Sequence, residues 1–251
     1  MMELLSDPQI WIAFFTLTAL ELVLGIDNII FISILVDKLP PAKREMTRRI
    51  GLFLAMFMRI GLLLTLSWIV GLTQPLFSIV GQEISGRDVV LLLGGLFLLW
   101  KSVGEIHETF EGAHVDAKSS AVKHTFAGII LQIIVIDLVF SLDSIITAVG
   151  MVDEIAVMIA AVIASVTLMM LFARPIGHFV SAHPTIKMLA LSFLVVVAVV
   201  LIAEGFGHHV PKGYIYSAMA FSVVVEMLNI RLRKRSMRDE VIATKYVQDE
   251  R

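Results

Sequence analysis

The chain of 251 residues contains no cysteine, so it can form neither a disulfide nor a thiolate metal site. Charge is scarce: 17% of residues are Asp, Glu, Lys or Arg, against about 25% in soluble domains. No Walker A sequence occurs, so nothing points to ATP-driven pumping by this chain. Neither HExxH nor GxSxG is present to support a hydrolase, and an enzyme is not expected. The net charge of −2 implies no nucleic acid. What remains is apolar: 58% hydrophobic residues and a mean hydropathy of +0.90. That composition excludes both an ordinary soluble globule and a disordered chain. It describes a polytopic membrane protein.

Seven apolar stretches can be read, at about 10–34, 50–71, 88–106, 125–150, 154–173, 187–205 and 213–231. Inside hydrocarbon each must be helical, because the backbone has to satisfy its own hydrogen bonds. The first lacks a basic leader and a small-residue cleavage site, so it reads as a retained span. Pro40 and Pro41 are expected in a short loop, and Pro175, Pro184 and Pro211 near helix ends. Lys and Arg set the orientation. Sixteen fall on one side, in the loop at 38–49, the loops near 107–124 and 174–187, and the tail; only Arg87 and Lys212 fall on the other. The N-terminus is therefore expected outside and the C-terminus in the cytosol, which requires an odd number of spans.

Segment 21–30 reads ELVLGIDNII and segment 137–146 reads DLVFSLDSII. Apolar identities between two membrane helices are cheap; two carboxylates and a small polar residue at the same spacing are not. The third span of each half also ends alike, at Glu105 and Glu204. Two three-helix units related by duplication would enter the bilayer from opposite faces, the inverted repeat of secondary transporters. The expected fold is thus all-α, with repeat 1 over about 10–106, repeat 2 over about 125–205 and an extra helix at 213–231. A transmembrane domain of 1–232 would be followed by a short basic cytosolic tail, 233–251.

Glu21, Asp27, Asp137 and Asp143 lie within these spans. Four unpaired ionised carboxylates in mid-membrane would cost on the order of 10 kcal/mol. Protonation, a cationic partner or a bound metal ion must offset that. Arg59 is the basic residue nearest mid-span and the natural counter-ion, either for an emptied site or as a clamp between spans 1 and 2. Carboxylates with Asn28, Ser144 and backbone carbonyls supply oxygen, which suits a hard cation such as Mg, Ca or Mn. A thioether from Met56, Met58, Met169 or Met170 would favour Mn over Ca, though these side chains read first as filler. Residues six apart on a helix are turned about 120° from each other, so Glu21 and Asp27 cannot chelate one ion from an unbroken helix. Either Gly25 marks a break or one ion takes ligands from spans 1 and 4 together. Glu105 and Glu204 complete the expected ligand set, at the two mouths.

At ELVLGIDNII and DLVFSLDSII the sequence closely resembles the TerC family of bacterial inner-membrane proteins. The resemblance continues through ISGRD at 84–88, LLLGGLFLLWKS at 91–102, GEIHE at 104–108, HPTIKMLALSFL at 183–194 and VPKGYIYSAM at 210–219. It covers about residues 8–232 and is similar to the short subgroup without regulatory domains. It implies manganese(II) efflux or metal supply to exported enzymes, with the family's motif residues falling on Glu21, Asp27, Asn28, Asp137, Asp143 and Ser144. The expected function is export of a divalent cation, Mn²⁺ as transported substrate and no resident cofactor, from a bacterial inner membrane. Export of a small organic cation or amino acid, or a membrane-embedded assembly or metal-supply factor, are the alternatives. The lipid bilayer and the ion are the expected partners, with a second copy of the chain or a secretion-associated protein left open.

Overall fold

The computed structural model describes residues 7–65, 73–79, 82–111, 125–149, 152 and 154–249. Among them are seven α-helices: α1 (Pro8–Asp37), α2 (Pro41–Leu64), α3 (Gly86–Glu111), α4 (Phe126–Val149), α5 (Ile155–Ala182), α6 (Pro184–Gly205) and α7 (Lys212–Asp249). All but α2 are long and apolar enough to cross a membrane. α2 starts nine residues before the expected stretch, with Pro41 in its first turn, and its first half carries Lys43, Arg44, Glu45, Arg48 and Arg49. The apolar run that was to complete the second span, 66–72, lies outside the described residues.

Two features go beyond what was expected, and one expectation, the place of Pro175, needs correction. A short antiparallel strand pair, β1 (Pro75–Ile79) with β2 (Gln82–Ser85), lies between α2 and α3 in sequence, in a fold otherwise all-helical among the described residues. Pro175 lies inside α5 rather than at its end. The tail continues α7 as helix to Asp249. Pro184 and Pro211 do stand at helix starts, at the head of α6 and just before α7.

Local chemistry fixes the ends. Asp7 caps α1 by accepting from the Gln9 N–H at 2.9 Å. At its other end Arg44 donates to the carbonyls of Leu39 and Asp37, at 2.8 and 2.7 Å, binding groups a helix terminus leaves open. Ser85 and Asp88 bracket the start of α3 reciprocally: the Asp88 N–H donates to Ser85 Oγ (3.2 Å) and the Ser85 N–H to Asp88 Oδ2 (2.9 Å). That box sets Arg87 in the first turn.

Residues 1–210 form one compact unit and Pro211–Arg251 another. In the first, α1 packs on α5, α2 on α4 and α5, and α3 on α6. Neighbours along each contact give the directions. Met169 sits over Gly25, its Sδ 2.6 Å from where a Cβ would be, and Gly177 lies beside Ser33, so α1 and α5 run the same way. Gly51 faces Ile133 while Arg59 bonds Asp137, so α2 and α4 are parallel. Gly95 faces Ala198 and Ile202 while Gly205 faces Asp88 and Leu92, so α3 and α6 are antiparallel.

The α3–α6 contact is close enough to depend on glycine. A Cβ on Gly95 would stand 2.9 Å from the Ala198 carbonyl oxygen and 3.1 Å from the Ile202 nitrogen. Backbone cannot rotate away as a side chain can, and small residues at membrane helix contacts exist to permit this approach. Gly95→Val is expected to destabilise the folded protein by about 1–3 kcal/mol, the usual range for overpacking. Thermal unfolding in detergent would show it as a lowered midpoint; an unchanged midpoint would mean that the two helices can part freely.

Candidate functional site

Every residue of the expected set is buried: Glu21, Asp27, Asn28, Glu105, Asp137, Asp143, Ser144, Glu204 and Arg59. They do not form one cluster. Helices α1 and α4 are both continuous through their acidic motifs, which removes the possibility of a break at Gly25. Gly25 serves packing, as the notch that Met169 fills. With α1 unbroken, Glu21 and Asp27 must face different neighbours.

Glu21 lies in the interior of the α1–α2–α4 group. Arg59 Nη1 donates to Glu21 Oε2, and its Nε and Nη2 grip both oxygens of Asp137 at 3.2 and 2.5 Å. Asn28 Nδ2 and Ser141 Oγ add donations to Asp137, at 2.9 and 3.2 Å. One guanidinium thus ties three helices, in the two-pronged geometry that suits arginine and carboxylate. Asn28 Oδ1 is buried and receives no hydrogen bond. Ser144 Oγ turns back to the Ser141 carbonyl at 3.2 Å and joins no carboxylate.

The remaining acids lie toward α3 and α6, in two groups. At one end of α3, Arg87 Nη2 binds Asp143 Oδ1 of α4 at 2.9 Å and stands 3.8 Å from Glu204 Oε2 of α6, with Asp88 Oδ1 also 3.8 Å from its Nη1. Glu204 Oε2 accepts no hydrogen bond, and Arg87 Nε donates none. At the other end of α3, Lys38 binds Glu105 and, at 2.7 Å, Glu108, while Lys101 lies 3.9 Å from Glu105. Burial works against the charge on Lys38, but its hydrogen bonds and attraction to Glu105 and Glu108 prevail and raise its pKa above the ordinary lysine value of 10.5. Lys38 therefore stays charged throughout the physiological range and gives up its charge as pH rises past that raised value.

Asp27 stands apart. It is buried, and among the described residues it accepts no hydrogen bond and forms no ion pair. Positions 27, 31, 34 and 38 lie on one face of α1, with Phe31 and Ile34 buried between Asp27 and Lys38. Asp27 therefore shares the face that reaches α3 through the Lys38–Glu105 pair.

No three His, Asp or Glu side chains converge closely enough to hold a metal ion among the described residues. The expected quartet is divided: Glu21 and Asp137 are bound to Arg59, Asp143 is bound to Arg87 of α3, and Asp27 is bound to neither arginine. Sequence reasoning counted Lys38 and Arg87 only as orientation charges. For Arg87 the available signal was the S-x-x-D box at Ser85, which sets a cation at the start of a membrane helix.

Residues 6–240 match the family described as Integral membrane protein TerC family, nearly the whole chain. The chain belongs to the TerC family. Within it the chain is 56% identical to a UPF0053 protein of Haemophilus influenzae, over 93% of this chain and 99% of that one. It is 55% identical to the UPF0053 inner membrane protein YgdQ of Escherichia coli K12, over 92% and 97%. It is also 48% identical to the UPF0053 inner membrane protein YoaE of the same strain, a longer relative of which the match covers 46%. No solved structure matches. The first two of these TerC-family relatives are matched over nearly their whole length.

Proposed function

We propose that this protein is a transporter that exports a divalent cation, Mn²⁺ above others, from the cytosol across a bacterial inner membrane. The observation that carries the reading is Asp27: a buried carboxylate in a membrane-crossing helix, with no partner among the described residues. Such a group is costly in lipid unless a mobile ion or proton visits it. Asp143, Glu105 and Glu204 add further acid along the α3–α6 side, and oxygen donors suit a hard divalent ion. Preference for Mn²⁺ rests on the family resemblance. Proton exchange at the same carboxylates would drive export.

The helix directions support an inverted repeat. α1 runs against α2 and with α5, and α2 runs with α4, so α4 opposes α1 and α5 opposes α2, as α6 opposes α3. Each helix of the first three then has its sequence counterpart pointing the other way, the arrangement that lets two halves rock about a site between them. The basic loops orient this frame with the N-terminus outside, and the names of the relatives support an inner membrane.

One observation favours a reading of another class. Arg59 already occupies Glu21 and Asp137, and no three acidic or histidine side chains converge among the described residues. A membrane-embedded assembly or metal-supply factor would look like this too. Purified protein in liposomes, offered Mn²⁺, Mg²⁺ and Ca²⁺ in turn against a pH gradient, separates the two. Mn²⁺ flux above protein-free liposomes is expected; folded protein that moves none of the three would favour the assembly factor.

A further inference from the structure

Lys38 and Arg87 hold equivalent places at opposite ends of one helix. Arg87 is the second residue of α3, and Glu105, the partner of Lys38, lies about 27 Å further along at helical rise. Each base ties α3 to the C-terminal end of a motif helix: Lys38 directly follows α1, and Asp143 lies in the last two turns of α4. Arg87 is outnumbered by acid, with Asp143, Glu204 and Asp88 around it, whereas Lys38 and Lys101 share Glu105 and Glu108. Asp27 lies 11 residues before Lys38, about 16 Å along the helix axis.

We infer that Lys38 and Arg87 are the resident counter-ions of the transport path, each latching one mouth shut until the transported cation replaces it. The inference rests on the transport reading and adds the gates to it. A divalent ion brings two charges where the base supplies one, which suits the paired acids at each mouth, and the acid in excess around Arg87 favours the exchange further there. Arg87 is not saturated as Arg59 is: its Nε is unbonded, and a buried oxygen of Glu204 waits 3.8 Å from its Nη2. It can pass from Asp143 to Glu204 without leaving the mouth. Lys38 offers a flexible point charge rather than a fixed fork, which suits a latch that must release. The close glycine contacts of α3 with α6 let those two helices move as one body when either latch opens.

The chain has no cysteine, so an engineered thiol is a unique reporter. Ile34 lies one turn inside Lys38 and Leu91 one turn inside Arg87, and each is 1% exposed. Ile34→Cys and Leu91→Cys are placed in separate proteins and treated with a membrane-impermeant maleimide, in right-side-out and in inverted vesicles. Both thiols should be protected. Adding Lys38→Gln should expose the Ile34→Cys thiol several-fold, from the cytosolic side alone, and leave Leu91→Cys protected. Adding Arg87→Gln should do the reverse, from outside alone. Lys38→Arg should keep the inner thiol protected, and the charge swap Lys38→Glu with Glu105→Lys should restore protection. Unchanged protection in both glutamine variants overturns the inference. So does exposure of both thiols by one substitution, since that is a loosened fold and not a latch. Labelling needs no ion flux, so side-specific exposure in a protein whose liposomes carry no divalent cation would keep the latches and remove the proposed substrate. Flux with unchanged labelling would do the opposite.

Discussion

Arg59→Gln is expected to reduce folded protein more than any other single change at a charged position. The guanidinium neutralises one of two buried carboxylates and binds both, and it joins α1, α2 and α4 at a buried position. Without it, Glu21 and Asp137 face each other with only the amide of Asn28 and the hydroxyl of Ser141 as donors. Breaking a buried pair by removing one partner costs about 3–5 kcal/mol, because the other charge stays behind. That is a large fraction of the stability of most domains. Yield after mild detergent extraction and the thermal midpoint should both fall sharply.

The same physics supplies the control. Removing all the charges of a buried network is far less costly than removing one, and often neutral. The triple variant Glu21→Gln, Arg59→Gln, Asp137→Asn should therefore regain much of the midpoint lost by Arg59→Gln alone. Recovery assigns Arg59 to holding the bundle. A well-folded single variant whose Mn²⁺ affinity or pH profile shifts instead would return Arg59 to the role of counter-ion for an emptied site, and the ion's place to Glu21 and Asp137.

Much of this molecule is legible in its sequence, for a physical reason. Hydrocarbon admits only long apolar helices, so the runs that became α1, α3, α4, α5, α6 and α7 declare themselves. Buried acids declare themselves too, because lipid makes each one costly. Even the division of the set could be read: a separation of six positions turns Glu21 and Asp27 about 120° apart unless the helix breaks, and α1 does not break. Other features left weaker traces. The charged start of α2 masks a helix that Pro41 opens, because hydropathy weighs Arg48 and Arg49 as loop. The strands Pro75–Ile79 and Gln82–Ser85 are too short to separate from a loop by alternation. Lys38 and Arg87 were hidden by distance, since their acids lie 67 and 56 positions away and only packing joins them.

Asp27→Asn should abolish cation flux while leaving the protein folded and inserted. Amide replaces carboxylate at nearly constant shape, so the packing around this buried position is kept, and insertion becomes easier when a charge leaves the membrane. No ion pair is broken, because Asp27 has none among the described residues. This is where it differs from Arg59: structural substitutions lower stability, whereas this one should leave the midpoint unchanged or raise it. Flux should fall because an amide oxygen gives up the full charge that holds a divalent ion between the two mouths. Asp27→Glu, which keeps the charge but extends it by one methylene, should retain part of the flux. The measurement is Mn²⁺ uptake per folded molecule in liposomes, with the thermal midpoint of the same preparation beside it. If Asp27→Asn carries Mn²⁺ at the parent rate, the ion does not pass this carboxylate and the transport reading loses the observation that carries it. If flux and midpoint fall together, Asp27 is a packing residue with a partner that forms only in the membrane. Loss of flux at a constant midpoint is the result that places the ion on the face of α1 that ends at Lys38.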